Sequence, residues 1–172
     1  MHLYYKYSEK KEQQIFNNES YFSIYLGMGC FWEKEPLFWN LKNVIWTEVG
    51  YSGNNIEAPS CSDAFLEGID YQEVVGIVYK NPSDIFDILE VFWNKHTIDV
   101  REDFPVPPLY KSVIYYSEYS QLALIKESLE SLERKRASEG NNNLISTIIN
   151  PVLEYVKADE HHQQYLLKRN GV

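Results

Sequence analysis

The chain has 172 residues, a formal net charge of −9 and a hydrophobic fraction of 44%, with 15% aromatic residues. It is long and apolar enough to bury the core of one domain, which excludes an intrinsically disordered chain. The acidic charge argues against nucleic acid or an anionic membrane as the main partner. No apolar run reaches about 18 residues, so we expect no membrane-spanning helix.

The chain contains only two cysteines, Cys30 and Cys61. Two cysteines are too few for a disulfide scaffold, and no cysteine–histidine cluster has the spacing of zinc ligands. The first 20 residues are polar and lack the apolar segment of a secretory signal. We therefore expect an N-terminal tail over residues 1–20, a single domain over residues 21–172, and a reduced, cytoplasmic setting.

The predicted elements alternate between strands and helices. Strands are expected over 21–26, 43–51, 71–79, 111–117 and 144–149. Helices are expected over 33–40, from Pro82-Ser83-Asp84 onward, over 118–137 and over 158–168. Residues 50–55 are expected to leave the second strand as a loop, and residues 99–109, with three prolines, to be irregular. This alternation predicts an α+β fold, a two-layer α/β sandwich.

Cys30 lies where the first predicted strand ends and the next helix begins. Gly27 and Gly29 permit a sharp turn there, and a thiol at a helix start faces backbone N–H groups that stabilise a thiolate. Two large aromatic residues, Phe31 and Trp32, follow directly and are suited to lining an apolar pocket. A buried structural cysteine flanked by core aromatics is an equally open interpretation.

Three further side chains are candidates for chemistry. Glu73 lies in the third strand, where burial would raise its pKa and let it donate a proton, although a solvated carboxylate is the commoner case. Tyr110 follows the proline-rich segment, where a half-buried aromatic is the simpler interpretation. Cys61 follows the second strand, either as a small buried residue or as a second thiol that meets Cys30.

Two adjacent histidines, His161 and His162, lie in the last predicted helix. A cysteine–histidine hydrolase would need one of them beside Cys30, a position that the sequence does not reveal. No asparagine or aspartate stands in a recognisable context to orient such a histidine. This hydrolase is therefore the least favoured of the function classes considered.

Seven short motifs follow one another along the chain. They are Gly29-Cys30-Phe31-Trp32, Leu37-Phe38-Trp39, Val49-Gly50-Tyr51-Ser52-Gly53, Glu73-Val74-Val75, Phe92-Trp93-Asn94-Lys95-His96, Tyr110-Lys111-Ser112, and Ala158-Asp159-Glu160-His161-His162-Gln163-Gln164-Tyr165-Leu166. In their order and spacing they resemble the A-class peptide methionine sulfoxide reductases. The likeness extends from residue 21 to about residue 167. It implies a mixed sheet with flanking helices around a ferredoxin-like core.

The resemblance implies a thiol-dependent reduction of methionine S-sulfoxide, free or in proteins, and thus the repair of oxidised proteins. Cys30 would attack the sulfoxide sulfur while Glu73 protonates the oxygen, which Tyr110 would hydrogen-bond. Phe31 and Trp32 would hold the substrate's methyl group. Cys30 would become a sulfenic acid, and a thioredoxin-like reductant would restore the enzyme. Neither a metal nor an organic cofactor is implied, and a monomer is expected.

The chain departs from the family pattern in three places. Cys61 stands where the family carries a second tyrosine. Pro105 stands where the family carries an aspartate, which leaves Asp103 as the nearest acid for that role. No cysteine occurs near the C-terminus, where many relatives keep resolving thiols. Cys61 is then the one internal candidate for a resolving thiol, the alternative being direct reduction of Cys30 by an external thiol. The altered loop and the missing tyrosine leave a second function open, in which this chain is a relative of the reductases that binds methionine sulfoxide with little turnover.

Overall fold

The structure is a computed structural model that describes residues 15, 20–57, 59–99 and 105–170. The expected N-terminal tail, residues 1–20, lies almost wholly outside the described residues, and so does Asp103. In the part of the chain that is described, no helix combines the length and the apolar character needed to cross a bilayer.

The described chain forms one sheet, four α-helices and several 3-10 turns. The strands are β1 (Phe22–Gly27), β2 (Val44–Gly53), β3 (Tyr71–Tyr79), β4 (Val113–Tyr116), β5 (Ile148–Pro151) and β6 (Glu154–Lys157). The helices are α1 (Phe31–Lys34), α2 (Ile85–Asn94), α3 (Tyr119–Ser138) and α4 (Tyr165–Arg169). The 3-10 turns are Glu35–Leu37, Cys61–Phe65, Pro82–Asp84, Pro108–Tyr110 and Glu160–His162.

The strand order in the sheet is β5-β4-β1-β3-β2-β6. Every pair is antiparallel except β4 with β5, which makes the sheet mixed. The four inner strands have the order β4-β1-β3-β2, with α1 following β1 and α2 following β3. That is the connectivity of a ferredoxin-like βαββαβ unit, so the predicted fold is confirmed.

The alternation of side chains along β3 decides which face of the sheet carries the site. Val75 and Ile77 belong to the main core, which Ile88 and Leu89 of α2 complete. Val74 instead joins a smaller cluster on the opposite face. Side chains two residues apart share a face of a strand, so Glu73 points to the same side as the main core.

The second strand is longer than predicted, because the segment expected as a loop continues the sheet to Gly53. Its partner is β6, a four-residue edge strand that the sequence pattern did not predict. A Cβ added at Gly50 would lie 2.5 Å from the carbonyl oxygen of Val156 on β6. The glycine therefore permits a close approach of two strands and does not mark a turn.

Three other boundaries differ from the predictions. The first helix begins at Phe31, two residues early, and tightens into a 3-10 turn that accommodates Pro36 at its start. The strand expected over 144–149 lies at Ile148–Pro151, with its proline in an edge strand, where a missing N–H is tolerated. The helix expected over 158–168 is divided, because Gln164 has a left-handed backbone with φ of 50°.

Candidate active site

Cys30 lies immediately before α1, in the turn that follows β1. Gly29 has φ of +91° in this turn, a conformation that favours glycine. The backbone N–H groups of Trp32 and Glu33 lower the pKa of the Cys30 thiol, as expected for a helix start. Burial outweighs them, and together with the Glu73 carboxyl it raises the pKa of the thiol above its ordinary value.

Glu73 is fixed against the same turn. Its side chain is 1% exposed, and its Oε2 accepts a hydrogen bond from the backbone N–H of Phe31 at 3.0 Å. Burial raises the pKa of Glu73 to about 7, although the Phe31 N–H and the Cys61 thiol act to lower it. The carboxyl can therefore hold a proton near neutral pH and release it locally, as a general acid must.

The thiol of Cys30 borders a cleft of about 450 Å³. Tyr110 lines the same cleft, together with Met28, Gly29, Glu33, Lys34, His96, Thr97, Pro105, Val106 and Pro107. Burial, with the charges of Glu73, Cys30 and Cys61, raises the pKa of Tyr110 to about 12. Its hydroxyl thus stays protonated and able to donate a hydrogen bond into the cleft.

Cys61 begins the 3-10 turn Cys61–Phe65, which Ser60 and Asp63 close with reciprocal capping hydrogen bonds. Its sulfur lies 3.5 Å from the hydroxyl of Tyr51, and 3.9 Å and 4.0 Å from the Nε2 and Nδ1 atoms of His162. These three residues line a second cleft of about 560 Å³.

The second thiol also lies close to Glu73. Cys61 and Glu73 affect each other's pKa, although no hydrogen bond of ordinary geometry reaches Glu73 Oε1 from the described residues. Burial raises the pKa of Cys61, and the charges of Glu73 and Cys30 raise it further. The two thiols and the carboxyl therefore form one electrostatically coupled group.

The aromatic residues after Cys30 connect α1 to the C-terminal segment. Phe31 is buried, with its ring 5.7 Å from that of Tyr51 and 5.6 Å from that of His162. The Trp32 ring stacks on Tyr165 at 4.1 Å, and its indole N–H donates to His162 Nδ1 at 3.0 Å.

Gln163 fixes the C-terminal segment to the sheet. Its Oε1 accepts the backbone N–H of Val49 at 2.8 Å, and its Nε2 donates to the carbonyl oxygens of Val49 and Ala158, also at 2.8 Å. The side chain thus replaces a strand partner for β2. One residue further on, the N–H of Gln164 donates to the buried Glu35 at 3.0 Å.

The structure brings most of the sequence-predicted residues into one region: Cys30, Phe31, Trp32, Cys61, Glu73 and Tyr110. Asp103 lies outside the described residues. Sequence reasoning did not single out Tyr51, which pairs with Glu73 across β2 and β3. It considered His162 only as a partner of Cys30, whereas the thiol that His162 contacts is Cys61. Within the described ranges, no histidine hydrogen-bonds to Cys30, in contrast to what a cysteine–histidine hydrolase requires.

Comparison with known proteins agrees with this geometry. The sequence model of the family described as peptide methionine sulfoxide reductase matches residues 22–171. The peptide methionine sulfoxide reductase MsrA of Methanococcus maripaludis is 38% identical over 150 residues, which cover 84% of this chain and 91% of that protein.

Solved structures show the same fold. Methionine sulfoxide reductase A of Corynebacterium diphtheriae superposes with a TM-score of 0.73 at 27% identity, over 90% of this chain and 77% of that one. Mxr1 of Saccharomyces cerevisiae in complex with Trx2 gives a TM-score of 0.53 at 19% identity, over 87% of each chain, and shows a likeness of fold alone. The chain belongs to the peptide methionine sulfoxide reductase family.

Proposed function

We propose that this chain reduces methionine S-sulfoxide, free or in proteins, to methionine, with Cys30 as the nucleophile. The observation that carries the proposal is the position of Glu73, a buried acid with a pKa of about 7 that is hydrogen-bonded to the residue after Cys30. A thiol alone attacks a sulfoxide poorly because the oxygen must be protonated as the sulfur is attacked. A neutral carboxyl beside the thiol meets that need.

The first half of the cycle transfers the oxygen to Cys30. The thiolate attacks the sulfoxide sulfur, and Glu73 gives its proton to the oxygen. Methionine leaves, and Cys30 becomes a sulfenic acid. The repulsion between Glu73 and a Cys30 thiolate ends when Glu73 is protonated, so the thiolate and the neutral acid favour one another.

The substrate is held by groups around the Cys30 cleft. Tyr110 lines the cleft and remains a donor, so we assign it the hydrogen bond to the sulfoxide oxygen. The family resemblance assigns the methyl group, and with it the selection of the S epimer, to Phe31 and Trp32, although neither residue is among those that line the cleft. Asp103 is proposed for the role of the family's aspartate only because it is the acid nearest to that position, which Pro105 occupies.

The second half of the cycle restores the Cys30 thiol. Cys61 is the proposed resolving thiol, because it is the other cysteine of the chain and is coupled electrostatically to both Cys30 and Glu73. A thioredoxin-like dithiol would reduce the resulting disulfide by exchange, so no prosthetic group is required. Return of both cysteines to free thiols needs a reducing compartment such as the cytoplasm. A monomer suffices for all these steps.

A turnover assay with dithiothreitol tests the activity. The protein should convert the S epimer of a methionine sulfoxide peptide to methionine and leave the R epimer. Cys30→Ser, which keeps the shape of the side chain without the sulfur, should be inactive. A wild-type rate no better than that of Cys30→Ser would mean binding without turnover.

Mass spectrometry after a single turnover without reductant tests the resolving thiol. The expected product is a Cys30–Cys61 disulfide, with one methionine formed per chain. Cys61→Ser should form the same methionine but stop at the Cys30 sulfenic acid. A lasting sulfenic acid together with a free Cys61 thiol in the wild-type protein would assign the reduction to an external thiol.

A further inference from the structure

The hydroxyl of Tyr51 has no part in the first half of the cycle, yet it is buried beside the second thiol. Tyr51 is 2% exposed, and its hydroxyl lies 3.5 Å from the Cys61 sulfur. A buried tyrosine hydroxyl usually has a hydrogen-bond partner, and within the described ranges that partner is Cys61. His162 also borders the sulfur, but its two ring nitrogens lie at 3.9 Å and 4.0 Å, so the ring packs side-on and directs no N–H at it.

Tyr51 is the donor of this pair whenever Cys61 is ready to attack. A thiol S–H is a weak donor, and a thiolate has no proton to donate. Burial, with the hydrogen bond to Cys61, raises the pKa of Tyr51, so its hydroxyl keeps its proton. The same hydrogen bond lowers the pKa of Cys61, against the larger effect of burial. The hydroxyl thus favours the thiolate, which is the reactive form of the cysteine.

Tyr51 is held in place by the sheet and by its aromatic neighbours. Its backbone lies in β2, between Glu73 of β3 and Val156 of β6. Its ring centroid lies 5.7 Å from that of Phe31 and 6.2 Å from that of Tyr71, which it meets edge-on. The hydroxyl is therefore a donor with a fixed position, as a group that orients a nucleophile must be.

The turn that carries Cys61 is fixed as well. The Asp63 carboxylate accepts the backbone N–H of Ser60 at 2.6 Å and the hydroxyl of Tyr71 at 2.7 Å. Tyr71 is the first residue of β3, so these hydrogen bonds tie the turn to the sheet. Both members of the pair are thus anchored to neighbouring strands, Tyr51 within β2 and Cys61 through β3.

We propose that Tyr51 is a positioning residue for Cys61, whose sulfur it holds and whose thiolate it stabilises while that thiolate attacks the oxidised Cys30. This inference rests on the proposed function, because it requires Cys61 to be the resolving thiol. It adds to that function a hydrogen-bond donor that serves the second half of the cycle and not the first.

The chemistry balances with the groups present. After the first step Glu73 is a carboxylate, and it takes the proton of the Cys61 thiol, to which it is coupled. The Cys61 thiolate, held by the Tyr51 hydroxyl, attacks the Cys30 sulfur, and the S–S bond forms as the S–O bond breaks. Glu73 returns its proton to the departing oxygen, which leaves as water. Cys61 is oxidised and Cys30 is reduced, so no other oxidant is needed.

The acidity of Cys61 is measured first, in a Cys30→Ser background that leaves one thiol in the chain. The rate of alkylation by iodoacetamide, followed against pH, gives the midpoint of its ionisation. Tyr51→Phe keeps the ring and removes the hydroxyl, so the midpoint should rise by about one pH unit, as for a lost hydrogen bond to a charged group. A loss of packing alone would expose Cys61 and lower the midpoint instead, because burial is what raises its pKa.

The second measurement is a single turnover without reductant in the protein that retains both cysteines. Methionine release measures the first half of the cycle, and loss of the Cys61 thiol measures disulfide formation. Tyr51→Phe should have about tenfold less Cys61 thiolate at neutral pH, partly offset by the greater nucleophilicity of a more basic thiolate. We therefore expect disulfide formation to slow by about 3- to 10-fold relative to methionine release, the larger value including lost orientation.

Two further proteins make the comparison specific. Tyr79→Phe removes another buried hydroxyl, which hydrogen-bonds Gln121, and should leave both the midpoint and the ratio of the two rates unchanged. A protein with 3-fluorotyrosine at position 51 keeps the ring and the hydroxyl but makes the hydroxyl a stronger donor. Its Cys61 midpoint should fall, opposite to the change in Tyr51→Phe.

The outcomes are distinguishable. An unchanged or lowered midpoint in Tyr51→Phe would overturn the hydrogen bond, and an unchanged ratio of the two rates would overturn its role in disulfide formation. If Tyr51→Phe fails to fold, as judged by circular dichroism, the 3-fluorotyrosine protein decides, and a midpoint no lower than that of its parent would overturn the proposal. Failure of the proposed function appears separately, as a wild-type protein that releases no methionine or that keeps a free Cys61 thiol.

Discussion

The Glu73 carboxyl and the backbone N–H of Phe31 are joined by a 3.0 Å hydrogen bond that ties the central strand β3 to the turn after Cys30. The donor belongs to the first residue of α1, so the acid and the thiol are positioned by the same few backbone atoms. The bond also favours the ionised form of Glu73 against the larger effect of burial, which brings its pKa to about 7. The same hydrogen bond therefore fixes the position of the Glu73 carboxyl and influences its pKa.

Replacing Glu73 by Gln should stop proton transfer without emptying its site. We expect the single-turnover rate of methionine formation to fall by about 100-fold or more, the usual contribution of a general acid. The active state holds one proton between Cys30 and Glu73. The wild-type rate should therefore rise as pH passes about 7, where the pair loses its first proton, and fall again at higher pH, where Cys30 deprotonates fully and no acid remains. Glu73→Gln should show only a single rise with pH. An unchanged bell-shaped profile in the variant would contradict the assignment.

The same carboxyl should make stability depend on pH. Burial raises the pKa of Glu73 from its ordinary 4.5 to about 7, so between these values the folded state binds more protons than the unfolded state. Its stabilising contribution is complete below pH 4.5 and is lost as pH rises through 7, a change of about 3 kcal/mol in the free energy of unfolding.

Urea denaturation at pH 5 and pH 8 measures this loss. The wild-type protein should lose more stability between these pH values than Glu73→Gln does, because the variant keeps Glu35, whose pKa burial also raises to about 7, but has no proton to lose at position 73. His96, whose pKa is lowered to about 4 by burial, acts in the opposite direction but equally in both proteins. The exposed Glu133→Gln is the matched control and should behave as wild type. Parallel pH dependence in all three proteins would rule out this effect.

The sequence predicted the main elements well where local pattern decides. β3 lies at the predicted residues, Tyr71–Tyr79. The sequence-based prediction failed where a strand pairs with a segment far away in the chain. The strand β6 exists because Gly50 lets it approach β2, and no local pattern in four residues specifies that pairing.

In the site, too, local sequence and motifs identified individual residues but not the contacts between distant segments. Local sequence placed Cys30 at a helix start, and the family motifs brought in Glu73 and Tyr110. The surroundings of Cys61 were beyond sequence reasoning, because the Trp32–His162 hydrogen bond joins residues 130 positions apart. Burial raises the pKa of the Cys30 thiol more than the expected helix-start N–H groups lower it, and the extent of burial cannot be read from the local sequence.

Tyr110→Phe should weaken catalysis without altering the fold. Losing one hydrogen bond to an oxygen that gains charge is expected to reduce kcat/KM by about 10-fold to 100-fold. The loss should be constant up to about pH 10, because the pKa of Tyr110 is raised to about 12 and the hydroxyl stays protonated. Tyr119→Phe removes an exposed hydroxyl and serves as the control. Equal kcat/KM values for Tyr110→Phe and wild type would remove Tyr110 from the site.

Gln163→Leu should loosen the C-terminal segment from the sheet. Leucine has a similar size but leaves the Val49 N–H and two carbonyl oxygens without the partners that Gln163 provides. We expect the free energy of unfolding to fall by about 2–4 kcal/mol, as for buried polar groups left unpaired. Glu160→Gln, which removes an exposed ion pair with Lys168, should cost less than about 1 kcal/mol. A Gln163→Leu protein as stable as Glu160→Gln would show that these bonds do not hold the segment.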